Sequence, residues 1–161
     1  MPTLRVETLI AASPALCFDL ARDVELHTRS AAHSGERAVG GTTSGLLSLG
    51  DEVTWKARHL GLWWRLTARI ACFEPPHRFV DEQVRGPFHA FTHTHEFLPA
   101  AAGAAGGATR MIDTFHYSPP LGPLGWIAGA VFLTRYMQRF LAKRARFLKE
   151  EAERRASAER A

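Results

Sequence analysis

The run His93-Thr94-His95-Glu96-Phe97 carries two histidines one residue apart, the spacing in this chain most suited to chemistry. In an extended strand that spacing puts both imidazoles on one face, because side chains alternate with period two. A carboxylate follows in Met111-Ile112-Asp113, and Asp81 and Gln83 precede in the run Phe79 to Arg85. The segments Phe88 to Leu98 and Thr109 to Tyr117 are expected to pair as a hairpin. If Phe97 faces Met111, then His95 faces Asp113, His93 faces Phe115 and Phe91 faces Tyr117. Across the Gly86-Pro87 turn, His93 would lie opposite Asp81, and Phe91 opposite Gln83. A slip of one residue would turn the whole set to the other face.

If this face points inward, its polar groups must find partners, since an unpaired buried polar group costs roughly 1–3 kcal/mol. A His–Asp pair satisfies both members and favours the charged imidazolium. Such a cluster has three possible uses. It can be a hydrogen-bond network that fixes the sheet against its helix. It can grip the polar end of an otherwise greasy ligand. Or His95, oriented by Asp113, can act as a general base near neutral pH. An aldol-type cyclisation or a dehydration needs such a base beside a carbonyl. His93, His95 and a carboxylate are also compatible with Zn or Fe. That spacing fits any strand with two histidines, however, so neither a metal nor another cofactor is expected.

The elements that must position these groups are legible as alternation and punctuation. Thr3 to Ile10 alternates, with Leu4, Val6, Thr8 and Ile10 on one side. Ser13-Pro14 then reads as a helix start, Ser at the N-cap and Pro at the first helical position. A short helix to about Asp23 and a second turn or helix over Leu26 to Ser30 follow. Val39 to Leu49, rich in Gly, Thr and Ser, reads as a weak strand, a loop and a weak strand. Asp51 to His59 and Trp63 to Phe73 form a hairpin around Leu60-Gly61. On the second strand Trp64, Leu66, Ala68, Ile70 and Cys72 are expected to share the apolar face. Pro75-Pro76 ends it. Ala100 to Ala108 is an Ala/Gly loop. A long helix from about Leu124 to Glu153 closes the chain, with Trp126, Ala130, Leu133, Met137, Phe140 and Phe147 as its inward stripe. Antiparallel strands in a meander make a curved sheet, and one long helix can cover its concave face.

Composition narrows the function classes. The chain has 161 residues, 46% hydrophobic and 22% charged, which suits one globular domain over residues 1–150. Residues 151–161 read as a polar, frayed tail. The net charge is +4, and nine basic residues against four acidic ones lie from Arg135 onward. No interleaving of aromatic and basic residues accompanies them, so the reading is a solvated helix face and no nucleic-acid partner is expected. The apolar stretch Trp126 to Leu133 is too short for a bilayer span, which takes roughly 20 residues. Beside the basic face it leaves room for a transient membrane-surface contact. Met1-Pro2-Thr3-Leu4-Arg5 shows no secretory pattern, and Cys17 and Cys72 read as reduced, buried thiols of a cytoplasmic protein. No dinucleotide fingerprint, phosphate-binding glycine loop or nucleophile elbow is present.

Several local motifs resemble the START-like superfamily, the birch-pollen-allergen-like or helix-grip fold, over Leu4 to about Leu148. They are the Ser13-Pro14 helix after one strand, Gly50-Asp51-Glu52-Val53-Thr54-Trp55, and Phe79-Val80-Asp81-Glu82-Gln83-Val84-Arg85-Gly86-Pro87-Phe88. His93-Thr94-His95-Glu96-Phe97, Met111-Ile112-Asp113 and Pro120-Leu121-Gly122-Pro123-Leu124-Gly125 complete the set. The run is similar to the bacterial branch described as polyketide cyclase/dehydrase-like or SRPBCC. The resemblance implies an α+β helix-grip fold with a cavity between sheet and C-terminal helix. Members of the wider superfamily bind lipids, sterols, polyketides, quinones and plant hormones, and a minority are enzymes.

The expectation is therefore a binder of a small hydrophobic molecule. Its alternatives are a cyclase or dehydratase using His95 and Asp113, and a membrane-surface carrier of lipid or quinone. The expected ligand-binding set is Trp55, His59, Trp64, Asp81, Gln83, Phe91, His93, His95, Tyr117, Leu133, Met137 and Phe140. Oligomeric state is left open.

Overall fold

A computed structural model of the chain describes residues 2–100, 107–118 and 126–160. Strand β1 (Thr3–Ile10) leads into helices α1 (Pro14–Ala21) and α2 (Val24–Ser30) and a single 3-10 turn (Ala32–Ser34). Strands β2 (Arg37–Gly41), β3 (Glu52–His59), β4 (Leu62–Glu74), β5 (Arg78–Arg85), β6 (Ala90–Ala100) and β7 (Ala108–Ser118) follow, then helix α3 (Trp126–Arg160). The seven strands form one antiparallel sheet in the order β1-β7-β6-β5-β4-β3-β2. The α+β helix-grip architecture expected from the sequence is the one adopted. Among the described residues no helix is long and apolar enough to cross a membrane.

Local chemistry explains the two short helices. The Ser13 hydroxyl accepts from Leu16 N at 3.3 Å and Pro14 opens α1, while Asp23 Oδ1 accepts from Leu26 N at 2.9 Å to cap α2. Inward faces of α1 and α2 bury Cys17, Phe18, Leu20, Val24 and Leu26. Phe18 packs edge-on against Phe79 and Phe97, with ring centres 5.5 and 5.6 Å apart. The register of the central hairpin is His95↔Asp113, His93↔Phe115 and Phe91↔Tyr117, with Asp81↔His93 on the neighbouring pair, as expected.

Four expectations are corrected. Val39 to Leu49 holds one strand, β2; the rest is loop, joined to Asp23 by a lone bridge at Leu46. Cys72 does not share the face of Ile70. The pairing shifts between Ile70 and Cys72, and this bulge turns Phe73 inward against Phe18. Cys72 is left half-exposed, its thiol 3.5 Å from Glu74 Oε1, so only Cys17 is buried. The last dozen residues do not fray: α3 runs to Arg160, with Ala152 and Ala156 buried. Small side chains there let the helix approach β1, and Glu153 Oε1 accepts from Ala11 N at 2.9 Å while Lys149 Nζ donates to Leu9 O at 2.7 Å. The Pro119 to Gly125 motifs and the side chains of Trp126 and Ala130 lie outside the described residues.

Candidate functional site

Between the N-terminal half of α3 and the sheet lies a cavity of about 390 Å³. β3 and β4 supply Trp55, Ala57, His59, Trp64, Leu66 and Ala68, which alternation turns to this side. β5, β6 and β7 supply Asp81, Phe91, His93 and Phe115, and α3 supplies Leu133, Met137 and Phe140. The wall is therefore mostly aromatic and aliphatic, broken near the β3–β4 turn by His59 Nδ1, 2.6 Å from the Tyr136 hydroxyl, with the charged groups Asp81, Glu36 and Arg144 and the imidazole of His93 toward the other end.

At that end the two histidines stand between two carboxylates. His95 Nδ1 is 2.6 Å from Asp113 Oδ1, and its Nε2 is 3.1 Å from Asp81 Oδ1. Both ring nitrogens thus donate to carboxylates. Burial alone would push the His95 pKa down, but the hydrogen bonds to Asp113 and Asp81 outweigh it and raise it to about 9. Burial likewise opposes ionisation of Asp113, yet the two imidazoles facing it hold its carboxyl well below the usual carboxylate range. The neighbouring imidazole behaves oppositely. Burial, and then the positive charge of His95, push the His93 pKa down. His93 Nε2 lies 3.7 Å from Asp113 Oδ1 and Nδ1 3.9 Å from Asp81 Oδ1, both beyond hydrogen-bond reach. Among the described residues, buried Nε2 has no hydrogen-bond partner.

A second polar chain reaches the same end from α2 and α3. Arg144 Nη2 donates to His27 Nδ1 at 2.8 Å, and His27 Nε2 meets Glu36 Oε1 at 2.6 Å. The guanidinium sets the tautomer: His27 accepts at Nδ1 and so donates from Nε2. His27 also stacks on Trp55, with ring centres 3.9 Å apart. Sequence reasoning missed this chain. The signal for Arg144 was present, because it falls between Phe140 and Phe147 on the inward stripe of α3. His27 and Glu36 carry no comparable signal, since they reach the cavity only through the packing of α2.

Three expected ligand contacts lie elsewhere. Gln83 Nε2 donates to Phe88 O at 2.8 Å and its Oε1 accepts from Phe88 N at 3.3 Å, so its amide ties the turn. Gly86 makes room for it: a Cβ there would meet Gln83 Oε1 at 2.5 Å. Tyr117 is fully buried behind the wall, with its hydroxyl 2.8 Å from Thr134 Oγ1. His95 is absent from the wall of the large cavity and instead borders two small voids of about 30 and 40 Å³. Asp113 borders only the smaller of these. His95 and Asp113 thus form a charged pair set behind the cavity wall.

Residues 1–153 match the family model described as polyketide cyclase / dehydrase and lipid transport. The chain belongs to that family. The polyketide cyclase/dehydrase family chain has no match among curated proteins. Among solved structures it is similar to TTHA0849 from Thermus thermophilus, at 21% identity and a TM-score of 0.74 over 99% of this chain and 100% of that one. It is also similar to the Zhui aromatase/cyclase from Streptomyces sp. R1128, at 15% identity and a TM-score of 0.73, covering 96% and 94% of the two chains. A START superfamily protein from Mycobacterium smegmatis matches at 11% identity and a TM-score of 0.67, covering 94% and 97%. At these identities the likeness is one of fold.

Proposed function

We propose that this protein binds a small, mostly hydrophobic molecule between the sheet and the N-terminal half of α3. The observation that carries this is the cavity of about 390 Å³ with a largely apolar wall. That volume falls within the range that holds drug-sized ligands, roughly 300–1,000 Å³. Lipid, polyketide and quinone skeletons fit its chemistry, and the family description names lipid transport beside cyclisation. Arg144, His27 and Asp81 supply polar contacts for one end of the molecule.

The cyclase or dehydratase alternative draws support from the aromatase/cyclase likeness. It needs a free base in the cavity. His95 holds its proton and lies behind the wall, so binding without turnover is the reading favoured here. Native mass spectrometry of gently purified protein should find a co-purified small molecule. Ala68→Phe, which fills the cavity, should weaken a fluorescent hydrophobic probe at least about tenfold, roughly 1.4 kcal/mol. Unchanged probe affinity in a folded Ala68→Phe protein would sink the assignment.

One further observation favours delivery at a membrane surface. The cavity residues Leu60, Trp64 and Phe132 are exposed, and exposed Leu62, Trp63 and Val131 adjoin them in sequence. Arg135 and Arg139 lie exposed on the same stretch of α3. Such a rim suits ligand pick-up from an anionic bilayer. Co-sedimentation with vesicles containing anionic lipid, lost in Trp63→Ser/Phe132→Ser, is the expected result; equal recovery with and without vesicles would remove this reading.

A further inference from the structure

We infer that Asp81, His93 and His95 form a binding site for a divalent first-row metal ion, Zn²⁺ or Fe²⁺. Each of the three offers a ligand atom, and these atoms all lie within 4.8 Å of one another. His95 Nε2 and His93 Nδ1 both turn toward Asp81 Oδ1, at 3.1 and 3.9 Å. Donors about 2.0–2.2 Å from a common ion stand roughly 3–3.5 Å apart, so small side-chain shifts bring the set to bonding distance. Two imidazoles and one carboxylate are the donor set that zinc and non-haem iron sites use.

Three independent features point the same way. The first is the arrangement behind the donors. His95 Nδ1 donates to Asp113 Oδ1 at 2.6 Å, and His93 Nε2 faces the same oxygen at 3.7 Å. A carboxylate behind the ligating histidines sets their tautomer and raises their donor strength. It also supplies the partner that buried His93 Nε2 lacks, once the ring is drawn into place. The second is space. A void of about 40 Å³ is bordered by all three donors. It shares Asp81, His93, Trp55 and Arg144 with the large cavity, so open coordination positions face the side from which a ligand oxygen or water arrives. The third is charge. Among the described residues, the carboxylates of Asp81, Asp113 and Glu36 meet the guanidinium of Arg144 at this end, while Arg22 and Asp51, which also border the void of about 40 Å³, offset each other. With all imidazoles neutral, a divalent cation cancels the remaining charge. On binding, His95 Nε2 releases to solvent the proton it shares with Asp81 and offers its lone pair to the ion.

The site adjoins the hydrophobic-ligand cavity and shares Asp81 and His93 with it, but it is tested without any organic ligand. Chelator-treated protein is titrated with Zn²⁺ by calorimetry and with Co²⁺ by visible absorption. One Zn²⁺ per chain is expected, with Co²⁺ bands of a four- or five-coordinate N/O site. His93→Gln and Asp81→Asn should abolish saturable binding. Asp113→Asn should weaken it about 10- to 100-fold through the loss of support behind the ligands. Circular dichroism checks that each variant is folded. Should one fail to fold, imidazole NMR signals of the wild type decide: Zn²⁺ must move those of His93 and His95 and spare His77, His89 and His116. No saturable binding of either ion, binding that persists in His93→Gln, or signal changes confined to the surface histidines would each overturn the proposal.

Discussion

The two halves of the space under α3 have opposite fates. Toward the C-terminal half of the helix, α1 and α2 are wedged between helix and sheet. Phe18, Phe79, Phe97 and Met111 interlock there, and α3 meets them with Ala145, Ala152 and Ala156. Toward the N-terminal half no such wedge is present among the described elements, and Leu133, Met137 and Phe140 face a cavity of about 390 Å³. One sheet and one helix therefore build a packed core and a ligand chamber side by side. The difference comes from what the first turns of chain after β1 insert. The charged cluster of His95, Asp81 and Asp113 sits at the seam, bordered by both small voids or one of them.

The contrast predicts unequal costs for similar truncations. Phe18→Ala removes a ring buried on all sides and should destabilise by about 3–5 kcal/mol. Met137→Ala borders space that already exists and should cost no more than about 1 kcal/mol. Urea unfolding midpoints of the two variants measure the gap, and equal losses would mean that the chamber collapses in solution.

Next in size is the seam. His95 has its pKa raised to about 9 in the folded chain, against roughly 6.5 when unfolded. A group whose folded pKa is raised stabilises fully below its unfolded value and loses that contribution as pH climbs through the folded one. With chelator present, stability should therefore fall by on the order of 3 kcal/mol between about pH 6.5 and 9. His95→Gln should flatten that slope. A wild-type slope that persists in His95→Gln would assign the titration to another group.

Enlarging alanines should separate the halves again. Ala152→Leu forces extra methyl groups into the packed end and should cost about 1–3 kcal/mol. Ala68→Leu projects into the chamber and should be close to neutral in thermal unfolding, while reducing probe uptake. The smallest effect is kinetic. Burial pushes the Cys17 thiol up to about 11, whereas Cys72 is half-exposed. A thiol reagent at pH 8 should label one cysteine quickly and the second only on unfolding, and mass mapping should place the fast site at Cys72.

Much of the frame was legible because it depends on local rules. Alternation in Thr3–Ile10 and Glu52–His59 reports which side is buried, and Ser13-Pro14 announces α1. The hairpin register could be read because Phe91, His93, His95 and Phe97 share a parity with Met111, Asp113, Phe115 and Tyr117. Other features were not legible. A bulge between Ile70 and Cys72 inserts one residue and reverses parity beyond it, and nothing in the alternation of β4 marks the place. Gln83 looked like a cavity residue by parity, yet its amide closes the turn across Gly86.

The chain by itself determined the order of elements, the faces of most strands and the pairing of two histidines with two carboxylates. These follow from period-two and helical spacing, which act over a few residues. Only the tertiary structure decided that the pKa of His95 is raised by its two carboxylates and that of His93 lowered by burial, that Arg144 and His27 reach the chamber, and which end of the grip stays open. Those depend on burial and on groups far apart in sequence, and desolvation and packing have no local signature.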